Sequence, residues 1–321
     1  MRRLVSALVG IAVCVATLPA RARADNLDFQ LWRLGAPADG LFYAQPNADK
    51  SMKQVAVPFD PRAQERYARF VTDLAFAITP IPSGLSSSAG DAGLDVSLSL
   101  EFAFTHPNQK FSDGTTSFVW PTASAAPQRL LLPTLHLRKG LPLSFQIGTD
   151  VAYVVGSSLF VPTVWASWSI LEGHRWVPDL HIRGLCTVLL GAQDMVLVVG
   201  GWDVGTSYRI PIAGRAELGL YAGYQQLGIS SSTQNINFDP QHQSSQALSA
   251  DSIFAPLSYG SPISPTTRMS RVYFGTQVRV AMAVLGVDVV WGTANNPIGD
   301  GLATHYSLTS WKFGLRAGLM F

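Results

Sequence analysis

Cysteine is almost missing from this chain of 321 residues: there are two, Cys14 and Cys186. Cys14 falls in an N-terminal leader, which leaves Cys186 alone and excludes an internal disulfide. Also missing, after residue 24, is any run near the 18 or so consecutive apolar residues that a membrane helix needs. The 47% hydrophobic content must therefore be spread over alternating positions rather than gathered in spanning helices. Charge is sparse, at 14% of residues, and nearly balanced. Loss of the leader removes Arg2, Arg3, Arg21 and Arg23 and no acid, so the formal charge moves from +2 to −2. A basic nucleic-acid surface is excluded on that ground. The six histidines are scattered and no ligand spacing recurs, so no metal centre and no cofactor are expected.

What is present starts with that leader. Met1, Arg2 and Arg3 form a positive n-region, residues 4–19 are apolar, and Ala22-Arg23-Ala24 reads as a cleavage site before Asp25. Residues 1–24 are read as a secretory signal peptide.

From about residue 93 the chain alternates. Leu94, Val96, Leu98, Leu100, Phe102 and Phe104 interleave with Asp95, Ser97, Ser99 and Glu101. The last stretch puts Trp311, Phe313, Leu315, Leu319 and Phe321 on one face, and Lys312, Gly314 and Arg316 on the other. A period of two is the signature of strands with one apolar face. About ten such segments fit within residues 93–321, with twelve as the alternative. Their connections alternate long and short, and the chain ends on the short-turn side. Membrane strands need about 9–11 residues each, and a closed even-numbered barrel satisfies every backbone polar group in lipid. The fold expected is a transmembrane antiparallel up-and-down β-barrel, all-β apart from one helix.

The terminal Phe321, with apolar residues at alternate positions before it, resembles the closing strand of Gram-negative outer-membrane β-barrels of the porin- and transporter-like kind. That resemblance implies an outer-membrane location and contact with outer-membrane lipid. It also implies that the barrel assembly machinery reads Phe313, Leu315, Leu319 and Phe321.

Residues 25–92 are expected to form a periplasmic extension with a helix at about 61–79. Asp60 is placed as its N-cap, Pro61 at its first position, and Pro80 just beyond its end. Tyr67, Phe70, Val71 and Leu74 form an apolar stripe, and Glu65, Arg66, Arg69 and Asp73 a charged one. A helix is about 10–12 Å across with its side chains, more than a ten-stranded lumen is expected to admit. The helix is thus expected at the periplasmic rim or on the inner leaflet through its Tyr67, Phe70 and Leu74 stripe, or as a plug in a wider barrel.

Strand parity points Asp95, Glu101, His136, Arg138, Asp150, Asp179, His181, Arg183, Asp203, Glu217, Asp288 and Lys312 into the lumen, with Arg209, Arg271, Arg279 and Arg316. Those four arginines would make one wall electropositive and favour anions. The function expected is a small channel or transporter for low-molecular-weight solutes, narrowed by residues 230–267 and by the helix. The alternatives are a non-conducting structural or surface-interaction barrel working through its outer loops, and a barrel enzyme of protease or lipid-modifying type. Asp179 and His181, two apart on one face, are the nearest approach to a catalytic pair, and no catalytic residue is assigned. Replacing Phe321 with Ala is expected to lower the yield of membrane-inserted, heat-modifiable protein; an unchanged yield on unheated gels would count against Phe321 as an assembly signal.

Overall fold

A computed structural model describes residues 29–35, 45–46, 52–53, 63–90, 93–111, 116–122, 127–174, 176–192, 194–213, 216–233, 257–259, 268–297 and 305–321. The leader, Asp60, Pro61 and most of residues 230–267 lie outside this set.

Ten strands form the barrel. They are β1 (Leu94–Phe104), β2 (Arg129–Gly140), β3 (Phe145–Tyr153), β4 (Phe160–Leu171), β5 (Asp179–Leu189), β6 (Met195–Ala213), β7 (Ala216–Thr233), β8 (Arg268–Val280), β9 (Ala283–Pro297) and β10 (His305–Met320). Each is antiparallel to its sequence neighbours, and β10 pairs back onto β1 to close the ring. Phe321 completes the seam by exchanging backbone hydrogen bonds with Leu94 at 2.8 and 3.2 Å. The short turns and the C-terminus share one end, the base. The connections 105–128 and 234–267 share the other, the mouth. By the rule for such barrels the base is periplasmic and the mouth extracellular.

The alternation in sequence becomes an inside and an outside. Leu98, Val164, Leu285 and Leu315 are 55–63% exposed on the outer wall, whereas Asp95, Glu101, Asp203 and Asp288 are buried within. Aromatic pairs such as Phe145–Trp168 (5.8 Å) and Trp291–Trp311 (6.2 Å) stud the outer face. An apolar exterior over a polar interior is the inverse of a soluble domain and suits a lipid solvent.

The interior is occupied. Helix α1 (Trp32–Gly35) sits at the mouth, and helix α2 (Ala63–Ile78) stands inside the barrel against β1, β6, β7 and β10. From Glu65 to Ile78 every residue of α2 is buried. This corrects both expectations about the helix: it is neither at the periplasmic rim or inner leaflet nor in need of a wider barrel. The reason is that helix and wall are both thin where they meet. Ala68, Thr72, Ala75 and Ala77 give α2 small, buried side chains, and the wall carries Ala103, Ala152, Ala294 and Gly292. A Cβ at Gly292 would sit 2.5 Å from Phe76 Cε2, so only glycine lets the ring lie there. The charged stripe is not a solvent face either. Glu65 and Arg69 pair at 2.6 Å, Arg66 donates to Leu34 O, and Arg69 lies over the Phe111 ring at 4.5 Å.

After α2 the chain runs as an extended strap, residues 79–90, down to the base, where Ser88 meets Glu172 of the turn between β4 and β5. The 105–128 connection folds inward over the helix. Asp73 accepts from the His106 backbone N–H (2.7 Å) and from Trp120 Nε1 (2.7 Å), and pairs with His106 Nδ1 at 3.2 Å. The bond to Asp73 raises the His106 pKa above the ordinary imidazole value.

Substituting Gly292 by Val is expected to cost about 1–3 kcal/mol by overpacking, read as a lower urea midpoint. Gly184, whose Cβ would meet nothing nearer than 4.0 Å, should tolerate Ala and serves as the control. Because the His106 pKa is raised in the folded state, its contribution is fully present below about pH 6.5 and is lost as pH rises through the folded value. Hydrogen-exchange protection of the Trp120 indole N–H should therefore fall as pH rises through that value. The effect should stay below about 1 kcal/mol because the imidazole is partly in solvent, and His106→Asn should abolish the pH dependence.

Candidate functional site: the occupied lumen

The lumen divides at the end of α2. Above, toward the mouth, the wall is aliphatic: Leu130, Leu132, Val161, Leu197, Leu227 and Ile229 are buried against the helix. Tyr67 adds one polar contact there, to Ser231 Oγ at 2.6 Å. Below, the wall is polar and faces the strap.

Two cations mark the boundary. The last carbonyls of a helix have no partner within it and carry the negative end of its dipole. Lys312 Nζ donates to Ala77 O (2.9 Å) and Thr79 O (3.0 Å), and lies 2.5 Å from Glu101 Oε2. Arg271 donates to Thr79 O and Pro80 O, both at 3.2 Å, with its guanidinium 5.3 Å from the Phe76 ring centre. Pro80 ends the helix because it has no N–H and its ring clashes with a preceding turn. The Ile81 N–H then turns to Glu101 Oε1 at 3.4 Å.

Register supplies the rest. Asp95 stands opposite Arg138, His136 opposite Asp150, Arg183 opposite Asp203 and Glu217 opposite Arg279. Directly opposed residues are within reach of each other, so each acid meets a base across the ladder. Arg138 bonds Asp95, and Arg183 Nε meets Asp203 Oδ2 at 2.7 Å. Asp203 Oδ1 also receives His181 Nε2 (3.0 Å) and Tyr273 OH (3.2 Å). Tyr221 OH donates to Asp288. The strap threads this network: Ser86 N donates to Ser207 Oγ and Ser169 Oγ to Ser86 O. Gly84 adopts φ +99°, where a side chain would be strained and would strike the Arg138 guanidinium.

Two sequence expectations change here. The tempting pair Asp179 and His181 does not form: Asp179 accepts from Gly173 N at 2.9 Å and faces Arg209 at 3.5 Å, while His181 turns to Asp203. Nor do the four arginines leave an unpaired electropositive wall. Arg209 has Asp179, Arg279 lies 3.6 Å from Glu217, Arg271 holds the helix end, and Arg316 donates to Gln277 Oε1 at 2.6 Å. Sequence reading missed Ser99, Trp165, Tyr221 and Tyr273, which share the inward parity but carry no charge to flag them.

One of the missed residues completes a constellation. Ser99 Oγ is 2.7 Å from His136 Nε2, His136 Nδ1 is 2.7 Å from Asp150 Oδ1, and Trp165 Nε1 donates to Asp150 Oδ2 at 3.0 Å. That is the donor–acceptor order of an acyl-transfer relay. Two things such a relay needs are not beside it. The backbone around Ser99 is committed on both sides, to Thr134 and Arg316, so its N–H groups are spent on the ladder rather than aimed at an oxyanion. The nearby recess, lined by Gly84, Arg138, Trp165, His181, Arg183 and Tyr273, has a volume of about 10 Å³, room for about one water. As folded, the relay joins β1, β2 and β3 and offers no berth for an acyl group. A recess of about 670 Å³ lies on the outer wall instead, among Leu98, Leu100, Leu285 and Leu315, facing lipid.

No protein-family description matches the chain, and no curated protein does. Among solved structures it is similar to OmpT, an outer membrane protein of Vibrio cholerae, at 11% identity over 78% of this chain and 73% of that one, with a TM-score of 0.29. It is similar to Neisserial surface protein A at 9% identity over 71% and 95%, with a TM-score of 0.24. A third likeness is to the outer membrane protein OprG of Pseudomonas aeruginosa, at 9% identity over 74% and 99%, with a TM-score of 0.26. Scores this low carry no argument about activity. The ring of ten paired strands, apolar outside and polar within, is by itself the architecture of a Gram-negative outer-membrane β-barrel.

Proposed function

We propose that the protein is a plugged outer-membrane barrel, non-conducting while α2 and the strap are seated, whose working surface is its extracellular mouth. The observation that carries this reading is the junction of Lys312, Glu101 and Arg271 with the carbonyls of Ala77, Thr79 and Pro80. Removing the plug would strip both buried cations of those acceptors, and an uncompensated buried charge costs several kcal/mol. It would also expose the apolar face of α2, at about 25 cal/mol per Å². Both terms favour the seated plug. Small-solute passage is the second reading, favoured by the polar lining of the lower lumen, which would become an aqueous path once the strap had gone.

The refolded chain, with and without residues 25–92, should be compared in planar bilayers. The full chain is expected to be silent. Steady conductance from the full chain would overturn the closed reading, and conductance from the shortened chain alone would assign the channel role to a displaced plug.

A further inference from the structure

We infer that the chain threads its own lumen, so that residues 29–35, ahead of α2, stand on the extracellular side of the barrel while the C-terminus stands on the periplasmic side. The contacts of residues 29–35 and of residues 63–90 mark the path. At the mouth, Phe29 bridges to Thr122, Gln30 N donates to Pro121 O at 2.6 Å, and Arg33 bonds Thr122 O, all within the 105–128 connection. The Leu31 N–H bonds Asp194, in the turn between β5 and β6, which opens at the same end. Phe29, Phe70 and Trp120 form an edge-to-face cluster, with centroids 4.9 to 6.0 Å apart, that ties this segment to the helix. The start of α2 is at the mouth too: Arg66 lies over Phe118 at 5.4 Å, and Tyr67 reaches Ser231 near the top of β7.

The path then descends. The end of α2 lies at Lys312 and Glu101, near the middle of β10 and β1, and the strap passes Ser207 and Ser169 on the lower wall. Ser88 reaches Glu172 in the base turn, and Gly93 O accepts from Gly140 N at 3.0 Å where β1 begins. Residues 29 and 88 are thus at opposite ends of a barrel that spans the membrane, and residues 63–90 run inside it from the mouth to the base. The barrel carries its own N-terminal segment across the membrane and holds it at the surface, which an anchor lying below the base would not do. The inference does not depend on whether the barrel conducts.

An epitope tag placed after Leu27 should bind antibody on intact cells. The same tag placed at Gly173, in the base turn, should bind only after the outer membrane is permeabilised. An N-terminal tag silent on intact cells in a heat-modifiable barrel would overturn the inference, as would a Gly173 tag that binds on intact cells. A second measurement avoids insertions. In a Cys186→Ser background, Phe29→Cys with Thr122→Cys should oxidise to a disulfide in native membranes, since bridge partners lie within the Cα spacing a disulfide allows. A folded, heat-modifiable double variant that never cross-links would remove the contact on which the path begins.

Discussion

The structure depends on supplying acceptors to a lysine that water cannot reach. Lys312 is fully buried in the middle of β10, and a buried ammonium without partners is not tolerated. One acceptor is fixed in the wall, the carboxylate of Glu101; the others are the carbonyls of Ala77 and Thr79 at the end of α2. Those carbonyls are left over by helix geometry and carry the negative end of the helix dipole, so each side satisfies what the other lacks. Arg271 repeats the logic from β8. The depth of the helix follows. A slip of one turn, about 5.4 Å, would move the carbonyls out of reach of both cations.

The polarity of the lower lumen has the same origin. Below Pro80 the chain has neither helix nor sheet to satisfy its backbone, and inside a membrane such a segment survives only where protein supplies partners. Ser207, Ser169, Glu101 and Glu172 supply them. Above Pro80 the helix satisfies its own backbone, and the wall can be Leu130, Leu132, Leu197 and Ile229. A polar lining beneath an apolar one therefore needs no flow of water to explain it. It tracks the change from helix to strap.

That distinction marks what the sequence made legible. Inside and outside were readable for β1 and β10 because parity needs only the strand itself: Leu98 out, Ser99 in. Register was not, because it is a relation between strands, and only register places Asp95 against Arg138 or turns His181 from Asp179 to Asp203. The relay from Ser99 to Asp150 was hidden for the same reason, since a serine among alternating serines carries no charge to mark it. Helix α2 was legible from its spacing and from Pro80, but its place was not. Glu65, Arg66, Arg69 and Asp73 look like a solvent face until Phe111, Trp120 and His106 are known to lie over them. Those partners come from a connection with no periodicity. The width of the lumen was misjudged because it is set locally, by Gly292 and the alanines, rather than by strand number alone.

The path of the chain also ties the plug to the seam of the barrel. The seam where closure happens is β1 against β10, and the Lys312–Glu101 pair crosses that seam, with Lys312 on β10 and Glu101 on β1. Both residues also hold the junction of helix and strap, through Ala77, Thr79 and Ile81. With β10 paired to β1, the ammonium meets both the carboxylate and the helix carbonyls. The contacts that join β10 to β1 and those that hold the plug therefore share the same two side chains, Lys312 and Glu101.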